Sequence, residues 1–201
     1  MSVAIIDSGG ANIASLRAAL SRLGAESVVT SDPEVIRRAS RVLLPGVGSA
    51  HNAMQRLRGS GLDRLIPTLK QPLLGICLGM QLLFERSEEG PVNCLGVIPG
   101  SIGKLAIEPG KPVPHMGWNQ MTMVREDPLL DGISSLDHVY FVHSFFAPTS
   151  GATVAITDYS VALTAVARRE NFCGTQFHPE RSGQVGARIL ANFLKERFET
   201  Q

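Results

Sequence analysis

The sequence predicts an α/β fold: a mostly parallel central sheet flanked by helices, with an antiparallel extension in the C-terminal half. Three observations predict it. Short aliphatic runs alternate with amphipathic stretches through the first third, an apolar run at 72–76 feeds a Gly-x-Cys-x-Gly sequence, and from about Val97 the pattern turns to alternating residues punctuated by Pro and Gly.

Val3 to Asp7 reads as a buried strand, Ile13 to Leu23 as an amphipathic helix, and Glu26 to Thr30 and Arg41 to Leu44 as two further strands. Helical patterns follow at Ser49 to Arg58 and Leu62 to Lys70. Pro72 to Ile76 is then expected to form a central strand and Leu78 to Glu85 a helix. Beyond Val97, the segments His138 to Phe146, Thr153 to Ile156 and Val161 to Ala167 read as strands joined by tight turns. A helix from about Gly183 to Phe198 closes the chain, with Val185, Ile189 and Phe193 recurring at i, i+4 and i+8 as one apolar stripe.

The chain has 201 residues, 44% of them hydrophobic and 18% charged, enough for a real core, and one domain over 1–201 is the expectation. A net charge of +1 points to neither nucleic acid nor an acidic membrane surface. The cysteines Cys77, Cys94 and Cys173 are odd in number and lack CxxC spacing, so a reducing cytoplasmic setting is expected rather than a disulfide framework. No signal-peptide pattern precedes Val3, and the apolar stretch from Pro72 to Phe84 is too short to span a bilayer.

Gly75-Ile76-Cys77-Leu78-Gly79 sits at a predicted strand-to-helix junction and is the cysteine analogue of the nucleophile elbow. A nucleophile on so sharp a turn needs glycines two residues either side, where a side chain would meet the neighbouring strand and helix. The helix starting at Leu78 directs its positive end at the sulfur and its free N–H groups at any oxyanion formed there. Without a partner base, Cys77 would be only a small buried hydrophobe.

Five histidines compete for the role of base: His51, His115, His138, His143 and His178. His178 is favoured, because Pro179 blocks a helix and a two-residue strand period would set Glu180 on the same side, where its carboxylate can orient the imidazole. Leu44-Pro45-Gly46-Val47-Gly48 could bring backbone N–H groups to a bound oxygen. No Gly-Lys-Ser/Thr follows it, Ser8 to Asn12 lacks the dinucleotide register, and no metal-site spacing occurs, so no cofactor or metal is expected.

Together PGVG at 45–48, GICLGMQ at 75–81 and FHPE at 177–180 resemble the class I, triad-type glutamine amidotransferases. The segments PHMGWN at 114–119, YFVHSF at 140–145 and QLLFE at 81–85, with Glu88 and Glu89, look like the glutaminase subunits of imidazole glycerol phosphate synthases. That resemblance implies a flavodoxin-like domain in which Cys77 is the nucleophile, His178 base then acid, and Glu180 its orienter. It further implies glutamine binding by Gln81, Glu89, Ser144 and Phe145, and an oxyanion hole from Leu78 and the Gly46-Val47-Gly48 loop. On the residues alone, Gln81 and Glu89 would read as surface groups and Ser144 and Phe145 as plain strand residues. The family's first loop commonly reads Asp-Tyr-Gly-x-Gly-Asn and here reads Asp7-Ser8-Gly9-Gly10-Ala11-Asn12; the residue after HPE is often Lys and here is Arg181.

Free ammonia would become ammonium in water, so a glutaminase of this kind is expected to hand it to a partner. By resemblance the partner is a (β/α)8-barrel cyclase subunit, forming a heterodimer, and Trp118, Asn119, Arg181 and the strand from His138 to Phe146 are the expected docking face. Three other readings use the same residues: a glutaminase serving a different synthase, a non-catalytic module of the same fold, and a cysteine hydrolase acting on peptides.

Overall fold

The computed structural model describes residues 2–7 and 12–195. The loop at 8–11 and the part of the closing helix expected beyond Lys195 lie outside the described residues.

The expected βα alternation is present: β1 (Ser2–Ile6), α1 (Ile13–Arg22), β2 (Glu26–Thr30), α2 (Pro33–Arg38), β3 (Arg41–Gly46) and α3 (Ala50–Gly59). The β-α alternation implies a helix of unspecified bounds between Thr30 and Arg41, and α2 forms there. The Asp32 carboxylate accepts from Glu34 N at 2.8 Å, and Pro33 supplies a helical φ where no N–H donor is needed. The next expected helix, Leu62 to Lys70, is shorter: α4 (Leu62–Leu65) passes into a 3-10 turn over Ile66–Thr68. Pro67 has no N–H to extend the α pattern.

β4 (Leu73–Cys77) is buried throughout, and α5 (Leu78–Leu82) follows without a loop. The helix expected to reach Glu85 stops early because the chain turns into β5 (Phe84–Ser87), which pairs with β6 (Val92–Asn93) and β7 (Ile98–Lys104). Then come β8 (His115–Gln120), β9 (Thr122–Met123), β10 (His138–His143) and β11 (Phe145–Phe146). The single strand expected over His138 to Phe146 is therefore two, because the chain changes partner at Ser144: β10 pairs with β8 and β11 with β7. β12 (Thr153–Asp158), β13 (Ala162–Arg169), β14 (Phe172–Thr175) and α6 (Gly183–Lys195) complete the described chain.

The main sheet has eight strands in the order β2-β1-β3-β4-β14-β13-β12-β9. The first five run parallel, and β13, β12 and β9 add antiparallel, which is the predicted architecture. Strand order reverses between β1 and β3, as in flavodoxin-like sheets, whose ligand crevice lies outside the carboxyl ends of the strands near such a point. Register brings three ends level: Gly46 of β3 lies opposite Cys77 of β4, and Thr175 of β14 lies opposite Ile76.

The period of two along β1 divides the core between the two faces of the sheet. Ala4 and Ile6 join Val42, Leu44, Met54 and Leu57 on one side; Val3 and Ile5 join Leu43, Phe141, Phe177 and Phe193 on the other. α6 packs on that second side through Ile189, Leu190 and Phe193, while Val185 of the expected stripe is only partly buried.

Candidate active site

The junction between β4 and α5 forces Cys77 into φ +55°, ψ −112°, a conformation that strains any L-residue by about 1–3 kcal/mol. Close packing around it leaves no room for side chains. A Cβ at Gly79 would lie 1.7 Å from the Leu44 carbonyl oxygen, and one at Gly75 would lie 2.7 Å from the Gly79 carbonyl. The elbow is thus wedged against β3, with the sulfur at the positive end of α5.

His178 stands in extended backbone (φ −97°, ψ 99°) just beyond β14, and Pro179–Arg181 form a 3-10 turn. Strand periodicity is therefore not what brings Glu180 to His178. The proline-led turn folds the carboxylate back, leaving Oε1 2.8 Å from Nδ1 with both side chains buried. The turn is clamped to β10: His178 N donates to the Tyr140 carbonyl at 2.9 Å, and Tyr140 N donates to the Ser182 hydroxyl at 3.0 Å, which in turn donates to the His178 carbonyl at 2.7 Å.

A carboxylate only accepts, so Nδ1 carries the hydrogen and the imidazole meets the Cys77 sulfur through Nε2. Burial pulls the His178 pKa down, but hydrogen bonds to Cys77 and Glu180 and the negative charge on both outweigh it and push it up to about 10. His178 is an imidazolium at neutral pH, ready to give up a proton.

A cavity of about 370 Å³ opens over this pair. Its wall holds Cys77 and Leu78 from the elbow, Gly46, Val47 and Gly48 from the end of β3, and Gln81, Glu89, Ser144, Phe145 and His178. All the residues expected for catalysis, oxyanion binding and glutamine binding therefore border this one cavity, save Glu180, which lies behind His178. Glu89 Oε2 accepts from Ala50 N at 2.9 Å at the start of α3, and burial raises its pKa against that hydrogen bond. The expected docking residues divide. Trp118 is 57% exposed, and Trp118 and Arg181 both rest on Tyr140, with a ring separation of 6.0 Å and a guanidinium-to-ring distance of 4.6 Å respectively. Asn119 turns inward, its amide donating to the Asp158 carbonyl at 3.0 Å.

Sequence reasoning weighed His115 and His143 only as rival bases and missed both the link between them and a third buried group, Gln176. His143 Nδ1 lies 2.9 Å from the Phe145 carbonyl, His115 Nδ1 lies 3.0 Å from His143 Nε2, and Asn119 Nδ2 lies 3.4 Å from His115 Nε2. The carbonyl can only accept, so each ring carries its hydrogen on Nδ1 and the chain runs one way, from Asn119 through His115 and His143 to Phe145. Both rings are neutral: burial lowers His115 to about 4, and burial together with the charge of neighbouring His115 lowers His143 to about 3. Gln176, fully buried beside His178, is the third; a lone amide in an apolar run before His-Pro-Glu was its available signal.

The described residues hold no helix long and apolar enough to cross a membrane and no cluster of His, Cys, Asp or Glu that could hold a metal ion. Cys77, Cys94 and Cys173 are all free thiols.

The chain is 52% identical over 196 residues, 98% of each chain, to the protein of Xanthomonas campestris pv. campestris (strain 8004) called imidazole glycerol phosphate synthase subunit HisH. It is 51% identical to the protein of the same name from Xylella fastidiosa (strain Temecula1), over 96% of both. Solved structures share the fold at lower identity. A glutamine amidotransferase crystal structure matches with TM-score 0.75 at 20% identity over 96% of this chain and 97% of that one. PurLQS from Thermotoga maritima matches with TM-score 0.71 at 18% identity over 96% and 97%. The sequence pattern of the family described as glutamine amidotransferase class-I covers residues 4–197, a span that contains the elbow, the His-Pro-Glu turn and the cavity between them. By that match and by the identity of its relatives, the chain belongs to the class-I glutamine amidotransferase family.

Proposed function

We propose that this chain is the glutaminase subunit of an imidazole glycerol phosphate synthase in histidine biosynthesis, releasing ammonia from glutamine and passing it to a cyclase subunit. The observation that carries the reading is a strained cysteine in contact with a buried His–Glu pair on the floor of a cavity, in a chain 52% identical to subunits of that synthase.

Cys77 attacks the side-chain amide carbon of glutamine as the thiolate. The N–H of Leu78 and the Gly46–Gly48 backbone hold the oxyanion. The imidazolium of His178 gives its Nε2 proton to the departing nitrogen, ammonia leaves, and a glutamyl thioester remains on Cys77. His178, now neutral, takes a proton from water, which attacks the thioester; glutamate leaves and the thiolate–imidazolium pair is restored. Glu180 fixes the tautomer throughout and offsets the imidazolium charge.

Glutamine's amino and carboxylate groups are held by Gln81, Glu89 and the Ser144–Phe145 backbone. A cavity of about 370 Å³ suits one amino acid and not an extended peptide, since small-molecule sites start at about 300 Å³. The partner is a (β/α)8-barrel cyclase in a heterodimer. It docks where Trp118 and the 66% exposed Met116 leave apolar surface beside Tyr140 and Arg181, with Asn119 bracing the strand from behind. Three free thiols fit the cytoplasm.

The test is glutamate release by wild type and Cys77→Ala, with and without a cyclase subunit and its ligand. The reading requires release that depends on Cys77 and imidazole glycerol phosphate made with glutamine as nitrogen source. Release that survives Cys77→Ala refutes it.

A further inference from the structure

We propose that Gln176 is a positioning residue for the nucleophile: its carboxamide N–H donates a hydrogen bond to the Cys77 sulfur and favours the thiolate. The inference rests on Cys77 being the nucleophile and adds a residue to that site.

The direction of this bond follows from one carbonyl. Phe145 O has no hydrogen, so the Gln81 atom 2.8 Å from it is the amide nitrogen. The same nitrogen lies 2.9 Å from the end of the Gln176 side chain, and having hydrogens to give, it makes that end the oxygen, Oε1. The other end of Gln176 is then the nitrogen, and it is this Nε2 that lies 3.8 Å from Cys77 Sγ. Rotating either amide by 180° would set donor against donor or acceptor against acceptor. Gln176 is fully buried and Gln81 is 3% exposed, so such a mismatch would go uncompensated. Each amide is thus held in one orientation, and an N–H points at the sulfur.

That N–H faces a competitor. The Val142 carbonyl also lies 3.8 Å from Sγ, where it can accept from the thiol and only repel the thiolate. Gln176 acts in the opposite sense, because a donor gains strength when its acceptor becomes an anion. The other groups that face the sulfur are His178, with Glu180 behind it, and the N-terminal end of α5 at Leu78; His143 is neutral, and Glu89 sits elsewhere on the cavity wall. Gln176 is therefore a neutral donor working beside the imidazolium.

The experiment reads the chemistry of the sulfur without glutamine. The full chain is pulsed with iodoacetamide between pH 5 and pH 9, and labelling of the Cys77 peptide is followed by mass spectrometry, with Cys94 as an internal reference. Wild type is compared with Gln176→Met, close in shape and without a donor, and with Gln176→Glu, which keeps an acceptor for Gln81 and turns an oxygen towards the sulfur. Melting curves establish that each variant is folded. The expected result is a labelling profile displaced to higher pH, with Cys77 labelled about tenfold more slowly on the acid limb of that profile in Gln176→Met and slower still in Gln176→Glu.

Gln81→Met supplies an independent variant. Losing the donor that orients Gln176 should slow iodoacetamide labelling as well, whereas a role confined to glutamine binding would raise KM and leave labelling untouched. Folded Gln176 variants with the wild-type profile overturn the inference and leave Cys77 as nucleophile. A wild-type Cys77 that labels no faster than Cys94 at neutral pH overturns both.

Discussion

Acidifying the protein from pH 6.5 to pH 5 should destabilise it by about 3 kcal/mol through two imidazoles, His115 and His143. The unfolded chain takes up a proton at each near pH 6.5, whereas burial delays uptake in the folded chain to about 4 for His115 and about 3 for His143. Throughout that window the unfolded state binds more protons, so stability falls as pH falls, by about 1.6 kcal/mol per ring between pH 6.5 and pH 5. His178 does not offset this loss. Its raised pKa gives a contribution complete below 6.5 and lost only as pH climbs through about 10. Urea unfolding at half-unit steps, on wild type and on His115→Gln, measures the effect, the variant losing about half as much because one proton site is gone. The same two rings hold the Phe145 carbonyl beside the cavity, and because they stay neutral in the folded chain over this range, their titration should leave KM for glutamine unchanged until the pH falls to about 4. An unfolding free energy that stays flat from pH 6.5 to pH 5, or a His115→Gln curve parallel to wild type, would refute the neutral His–His chain.

Gly79→Ala puts a methyl group 1.7 Å from the Leu44 carbonyl, so the elbow must open; thermal unfolding should show a loss of about 3 kcal/mol or more, with activity abolished. Asp127 and Arg168 form a largely buried bidentate pair at 2.5 and 2.7 Å, and Asp127→Ala should destabilise by about 3–5 kcal/mol in urea while leaving KM for glutamine unchanged. Glu180→Gln keeps the shape but removes the charge that holds the imidazolium, and kcat should fall about a thousandfold or more with little change in KM. Glu89→Gln should raise KM for glutamine and spare the rate at which a small electrophile labels Cys77.

The elbow was legible because its causes are local: a buried strand, a helix start, and two glycines that neighbouring backbone makes obligatory. His178 and Glu180 were legible as a pair, but for another reason than the geometry provides, since a proline-led turn rather than a strand brings them together. The helix expected to reach Glu85 illustrates what local patterning misses. Phe84 is apolar in either state, and only pairing with β7, some fifteen residues on, makes it a strand. Asn119 shares its hexapeptide with Trp118, and alternation in β8 sets it half-buried on the opposite face, bonded to the Asp158 carbonyl, while Trp118 faces out. The amide and imidazole chains were hidden altogether, because Gln81 meets Phe145 across 64 residues and Gln176 meets Cys77 across 99. No period or motif links such positions before the sheet has formed.

The most direct measurement is the mass of the chain after exposure to a glutamine analogue carrying an electrophile in place of the carboxamide nitrogen. The account predicts one adduct per chain, on the Cys77 peptide, blocked by excess glutamine and strongly slowed in His178→Asn. An adduct on Cys94 or Cys173 instead, or modification of Cys77 at the same rate without His178, would contradict it.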